Sequence, residues 1–140
     1  MSKEDIVLLI ADGATGPFGL DPVRMMKGCV VAAERGPEEW SELFSFRAYD
    51  WGPFDSTVYR ARDALIARGL LDVDGAHRYE RYSVTADGAR CAHELSDQDP
   101  ERAAWLRSVG EYVSSKSFSQ LLREIYDAYP QYATRSRFVG

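Results

Sequence analysis

Residues 55–88 read DSTVYRARDALIARGLLDVDGAHRYERYSVTADG, and the architecture turns on this stretch. Asp55 is an N-cap residue, its carboxylate suited to accept from the free N–H groups of a first helical turn. Val58, Ala61 and Leu65 then recur at helical spacing, with Arg62 and Ile66 beside them. That pattern predicts an amphipathic helix over 55–68 with the stripe facing inward. Gly69 supplies the left-handed residue that stops it. Leu70–Val73 and Tyr79–Val84 are strand-like around Asp74-Gly75, a strong hairpin signal. Thr85 caps a further helix from Ala86 to about Leu95.

Upstream, Glu4–Ala11 is a short apolar run that predicts a helix with Ile6, Leu9 and Ile10 inward, although its Ile, Val and Leu content also suits a strand. A glycine-rich loop follows. Asp21-Pro22 places a cap and a proline at a clean helix start, and Gly36-Pro37 ends that helix. Glu38, Glu39 and Glu42 surround Trp40, Leu43 and Phe44 as a short acidic helix or turn. Phe46–Tyr49 alternates as a brief strand, and Trp51-Gly52-Pro53-Phe54 reads as a turn. Downstream, Asp99-Pro100 opens a helix carrying Ala103, Leu106, Val109 and Val113. Ser117 and Gln120 form a capping box for a last helix that Pro130 ends. Its stripe of Phe118, Leu121, Leu122, Ile125, Tyr126 and Tyr129 needs a partner surface.

The ordered set Val58-Tyr59, Leu65, Gly69-Leu70-Leu71 and Ser83-Val84-Thr85-Ala86-Asp87-Gly88 resembles bacterial winged helix-turn-helix regulators of the PadR and MarR kind. Their pattern places V-Y-x-x-x-x-x-L before G-L-L, then a wing, then a strand ending in T-x-x-G. The likeness covers roughly a quarter of the chain at motif level. It implies a mainly α fold with a small β-hairpin wing (α+β): a winged-helix domain over 1–95 and a C-terminal helical extension over 96–140. The chain departs from the pattern before residue 55, where the segment is aromatic and its helices acidic. The block FSFRAYDWGPFD over 44–55 is also similar to that of a group of uncharacterised small prokaryotic proteins, a likeness that attaches no chemistry.

The resemblance implies a cytoplasmic, dimeric, sequence-specific regulator that binds double-stranded DNA. With Val58, Ala61 and Leu65 buried, the outward face of the helix carries Ser56, Thr57, Tyr59, Arg60 and Asp63. Its first residues lie at the end that meets base edges in helix-turn-helix proteins. Arg60 suits a bidentate contact with guanine, Ser56, Thr57 and Tyr59 suit phosphates or bases, and Asp63 either accepts from cytosine or steers Arg60. His77, Arg78 and Arg81 fall near the wing tip, placed for the DNA backbone or minor groove. Helices outside the wing build the dimer in such regulators, so Leu106, Val109, Val113, Phe118, Leu121, Leu122, Ile125, Tyr126 and Tyr129 are the expected interface. The same aromatic stripe equally suits burial against the wing domain, and it also suits a ligand pocket, yet nothing in the sequence specifies an effector. The tail residues Arg135, Ser136 and Arg137 suit phosphate contact.

A second function class fits the same scaffold: a protein-interaction module without DNA binding, antitoxin-like or complex-assembling, using the acidic first third and the Tyr49-Trp51-Phe54 cluster. Charge separates the two. Net charge is −5, but residues 56–93 hold six arginines against five acids, and residues 1–50 hold five basic residues against nine acids. DNA binding requires a continuous positive strip over Arg60, Arg78 and Arg81; an interaction module has it broken by Asp63, Asp74 and Glu80.

Other chemistries find little support. The loop Gly13–Gly19 imitates a dinucleotide-binding glycine motif, but Pro17 and the separate helix start at Asp21-Pro22 spoil the junction, and no alternating strand–helix series follows. Cys91-Ala92-His93, with Cys29 and His77 distant, lacks the paired close spacings of a zinc site, so no metal or other cofactor is expected. No nucleophile motif is present, and no enzyme is expected. Two unframed cysteines suit reduced thiols, no apolar run is long enough to cross a bilayer, and the acidic start does not suit a signal peptide.

Overall fold

A computed structural model of the chain describes residues 1–76 and 79–134. These form seven α-helices and one two-stranded antiparallel sheet. Helix α1 (Lys3–Gly13) opens on a capping box between Ser2 and Asp5 and is buried all round, every residue from Ile6 to Ala11 being inaccessible. It is the axis of the molecule, packed by α2 (Pro22–Arg35), α4 (Ser56–Ala67), α5 (Ala86–Gln98) and α6 (Pro100–Ser115). The apolar run therefore resolves as a helix, and its lack of a polar face follows from neighbours on every side.

The α1–α6 crossing is made by glycines. A Cβ on Gly110 would collide with the Ile10 carbonyl, and one on Gly13 with the Arg107 backbone. Arg107 closes the crossing from outside, its Nε donating to Asp12 Oδ2 at 2.7 Å. Leu106, Val109 and Val113 of α6, with Leu121 and Ile125 of α7 (Phe118–Ala128), belong to the same core as Ile6, Met25 and Leu65. One core therefore spans both sides of residue 95.

Strands β1 (Leu71–Asp74) and β2 (Arg81–Val84) pair in the register Leu71↔Val84 to Asp74↔Arg81. A third segment adds one rung: Tyr82 N donates to Leu20 O at 2.8 Å. The predicted caps all form, with Asp21, Asp55, Thr85, Asp99 and Ser117 each accepting from the first turn of their helices. Gly69 takes φ +72 after α4, as a left-handed stop requires.

The stretch from 36 to 55 follows expectation except at Phe46–Tyr49. The acidic segment is a single turn, α3 (Glu38–Ser41), with Trp40 buried beneath it. Phe46–Tyr49 is not a strand; its only pairing among the described residues is a bridge in which Arg47 and Phe54 exchange backbone hydrogen bonds of 3.0 and 2.9 Å. The bridge closes a short finger that carries Tyr49 and Trp51 outward and turns through Gly52 at φ +111.

Candidate interaction site

Around α4 the structure redistributes the residues expected to read DNA. Asp55 is buried, and its carboxylate accepts from Ser45 N, Thr57 N and Thr57 Oγ1 at 2.7, 2.9 and 2.7 Å. Burial opposes the charge, but those bonds, with Lys3 nearby, outweigh it and hold the carboxyl below its ordinary range. The Thr57 hydroxyl also accepts from Lys3 Nζ at 2.6 Å. Thr57 is thereby committed to the helix cap rather than to solvent.

Tyr59 also departs from its expected role. Its ring packs edge-on to Phe54, 5.7 Å between centres, and Phe54 in turn meets Tyr49 at 5.3 Å. On the other side the Arg62 guanidinium lies 4.5 Å from the Tyr59 ring centre. The hydroxyl points to Pro22 O at 3.4 Å, and burial raises its pKa. Tyr59 is a wedge between α4 and α2 and presents little to a ligand. Helical periodicity had set it on the outward face because nothing in the pattern showed the finger folding over that side.

Charge on this side is largely neutralised. Arg62 Nε donates to Asp63 Oδ1 at 2.9 Å, so Asp63 serves Arg62 and not Arg60. Arg62 also donates to Tyr82 Oη, whose hydroxyl donates on to Glu80 Oε2. Arg68 pairs with Glu4 at 3.1 Å. Ser56 and Arg60 are exposed, and Arg60 makes no ion pair among the described residues. On the β1–β2 hairpin, Asp72, Asp74 and Glu80 are exposed together with Arg81, which faces Asp74 across it. His77 and Arg78 lie outside the described residues, as do Arg135, Ser136 and Arg137.

The expected dimer stripe is mostly spent within the chain. Leu106, Val109, Val113, Leu121, Leu122 and Ile125 are buried by the protein's own helices and cannot also face a second copy. Phe118, Tyr126 and Tyr129 retain partial exposure. A groove of about 540 Å³ runs over this region between α2, α6 and α7, walled in part by Val31, Trp105, Tyr112 and Tyr129.

A second groove, about 550 Å³, was not foreseen as a unit. Its floor is the first turn of α2, Asp21 to Arg24, and its walls are Trp51 of the finger, Phe118 at the start of α7 and Tyr79 between β1 and β2. Trp51 and Phe118 meet edge to face at 6.0 Å. Trp51 is 46% exposed, Tyr79 62% and Phe118 36%. The floor is charged yet saturated: Arg24 is ion-paired with Asp21 and donates from Nε and Nη2 to Lys116 O at 3.3 and 2.9 Å. Below the finger, burial lowers the Lys27 pKa to about 8, partly offset by Asp21. The sequence signal available was Trp51 in a turn, an unusual place for so large an apolar side chain.

The chain matches no protein-family profile, no curated protein and no solved structure. Among the described residues no group of three or more His, Cys, Asp or Glu is placed to hold a metal ion, and no helix is long and apolar enough to cross a membrane. The thiols of Cys29 and Cys91 are unpaired, and burial pushes that of Cys29 far up, which makes it inert.

Proposed function

We propose that the protein is a winged-helix interaction module that holds a partner protein in the groove walled by Trp51, Tyr79 and Phe118. The observation that carries this reading is the convergence there of three large exposed aromatic side chains from three separate elements. Exposed aromatics gathered at one concave place mark recognition surfaces far more often than scattered ones do. The scaffold part of the reading is supported by chain order. Helix α1, a strand-like rung at Leu20, α2, α4 and the β1–β2 hairpin follow one another as in a winged helix-turn-helix. Where such folds make a tight turn of about 3–4 residues between their paired helices, this chain inserts 36–55 and with it the finger.

Electrostatics favours a protein partner. The strip that DNA binding needs is interrupted by Asp63, Asp72, Asp74 and Glu80, and Arg62 and Arg68 are paired with carboxylates. DNA binding by a homodimer is the second reading, favoured by exposed Ser56 and Arg60 at the first turns of α4. Free thiols at Cys29 and Cys91 suit a reducing, cytoplasmic setting under either reading.

One experiment separates them. Genomic DNA selection with the purified protein at near-physiological salt is expected to enrich no defined site, while a co-purifying protein is lost on Trp51→Ala and retained on Arg60→Ala. Enrichment of an inverted repeat that Arg60→Ala abolishes would overturn the interaction reading in favour of DNA.

A further inference from the structure

We infer that the outer edge of β1, at Val73, takes an extended segment of a partner protein as a further strand, one that sets a lysine or arginine opposite Asp72. This surface is separate from the Trp51–Tyr79–Phe118 groove and does not depend on what that groove holds. Hydrogen-bond parity locates the edge. Along an antiparallel pair, residues alternate between turning both backbone groups toward the neighbouring strand and turning both away. Tyr82 spends its N–H on Leu20 O at 2.8 Å, on the side of β2 away from β1, while Thr85 N reaches Leu70 O across the pair at 3.2 Å. Asp72↔Ser83 and Asp74↔Arg81 are therefore the bonded pairs of the ladder, and Val73↔Tyr82 is an unbonded one. Val73 accordingly turns its N–H and C=O away from β2.

Among the described residues nothing takes up those two groups, and Val73 is 40% exposed. Leu71 has the same sense but is buried, so Val73 is the reachable rung. Next along, Gly75 is exposed, with nothing within 4 Å of the place a side chain would occupy, which leaves room for an approaching chain. A donor and an acceptor displayed in strand geometry are matched by another extended chain, whose own N–H and C=O recur at the same spacing.

Charge then selects the chain. A two-fold pairing of β1 with a second copy runs antiparallel, and its registers set Val73 against Leu71, Val73 or Gly75 of that copy. In that order, they place Asp72 against Asp72, Asp72 against Asp74, or Asp74 against Asp74. Like charges directly opposite destabilise a sheet, so a second copy is disfavoured. Asp72 is exposed and makes no ion pair among the described residues, and across the ladder it meets only Ser83. A cation on the incoming strand supplies the missing counter-charge. Leu71 and Val73 lie on the other face, beside Val84 and Tyr82, so apolar residues suit the positions flanking that cation. The segment therefore reads apolar–basic–apolar.

The test is amide NMR of the full chain titrated with two blocked heptapeptides, one alternating valine with lysine, the other valine with glutamate. The lysine peptide is expected to shift the Val73 amide and slow its hydrogen exchange; the glutamate peptide is not. Val73→Pro removes the outward N–H yet leaves the ladder intact, because that N–H serves no bond to β2. It should weaken binding by about fivefold or more. Asp72→Lys should reverse the preference, so that the glutamate peptide binds the tighter by about fivefold or more. Trp51→Ala should change neither result, which keeps this test apart from the fate of the groove. Should Val73→Pro disturb folding, the charge reversal at Asp72 still decides. A Val73 amide indifferent to the lysine peptide, binding indifferent to Val73→Pro, or a preference untouched by Asp72→Lys would overturn the inference. So would protection of Val73 that grows with protein concentration in the absence of peptide, since the occupant would then be a second copy.

Discussion

Arg24, in the first turn of α2, donates twice to the backbone carbonyl of Lys116, at the junction of α6 and α7. With its ion pair to Asp21, this joins two helix ends that lie far apart in sequence and sets the floor of the aromatic groove. The guanidinium is buried and fully used, so removing it strands both the carboxylate and the carbonyl.

Arg24→Met should therefore lower stability by about 3 kcal/mol. Urea unfolding followed by circular dichroism measures it. A loss below about 1 kcal/mol would mean that water replaces the guanidinium at no cost and that the floor is not held by this contact.

Lys27 should contribute a pH dependence of opposite sign to the usual one. Its pKa falls from 10.5 to about 8 on folding, because burial penalises the ammonium. Between those values the unfolded chain holds a proton that the native chain lacks, so stability rises with pH. The effect is on the order of 3 kcal/mol when complete. Tyr82, Tyr112 and Tyr132, all raised to about 12 chiefly by burial, work the other way above their ordinary value of 10. Cys29, whose thiol burial pushes up from 9.0, also opposes the rise above its ordinary value, so the difference between wild type and Lys27→Met from about pH 7 to about pH 9.5 isolates the lysine. Lys27→Met should stabilise the protein near neutral pH and flatten the rise; an unchanged slope would show that the ammonium is hydrated in the native state.

Tyr59→Phe should cost under about 1 kcal/mol, since only the contact with Pro22 O is lost. Tyr59→Ala should cost about 2 kcal/mol, because the ring sits between Phe54 and Arg62. Thermal unfolding distinguishes the pair. Equal, negligible effects would return Tyr59 to the set of free surface residues.

Leu122→Asp should unfold the protein rather than dissociate a dimer, since the side chain is 1% exposed within one chain. Burial of an unpaired carboxylate there costs several kcal/mol, on the order of 3–5. Sedimentation and circular dichroism read it together. A folded monomer arising from a wild-type dimer would restore Leu122 to an interface between copies.

The punctuation of the chain was legible because each signal is local. A cap needs only its own first turn, which is why Asp21, Asp55, Thr85, Asp99 and Ser117 all perform as read. Periodicity told which face of a helix turns inward but not what covers it. The stripe at Leu121, Leu122 and Ile125 was assigned to a second copy when the chain itself covers it. Arg24 and Lys27 were invisible as core residues, because charge normally marks a solvated position and their burial depends on partners from distant segments. The groove was hidden for the same reason: Trp51, Tyr79 and Phe118 are neighbours only after three elements have packed. The alternation in Phe46–Tyr49 misled because a strand needs a pairing edge, and the chain offers a single rung there.

The glycine-lined crossing of α1 and α6 bears on how the chain is made. Between Ile6 and Ala11 helix α1 has no polar side to show to water, and its closest companion is encoded about a hundred codons downstream. Until α6 leaves the ribosome, the nascent polypeptide carries a greasy rod that α2, α4 and α5 cover only in part, a condition that invites chaperone capture or clumping. Slow synthesis, or premature termination ahead of α6, should accordingly harm yield far more than any change confined to the β1–β2 hairpin.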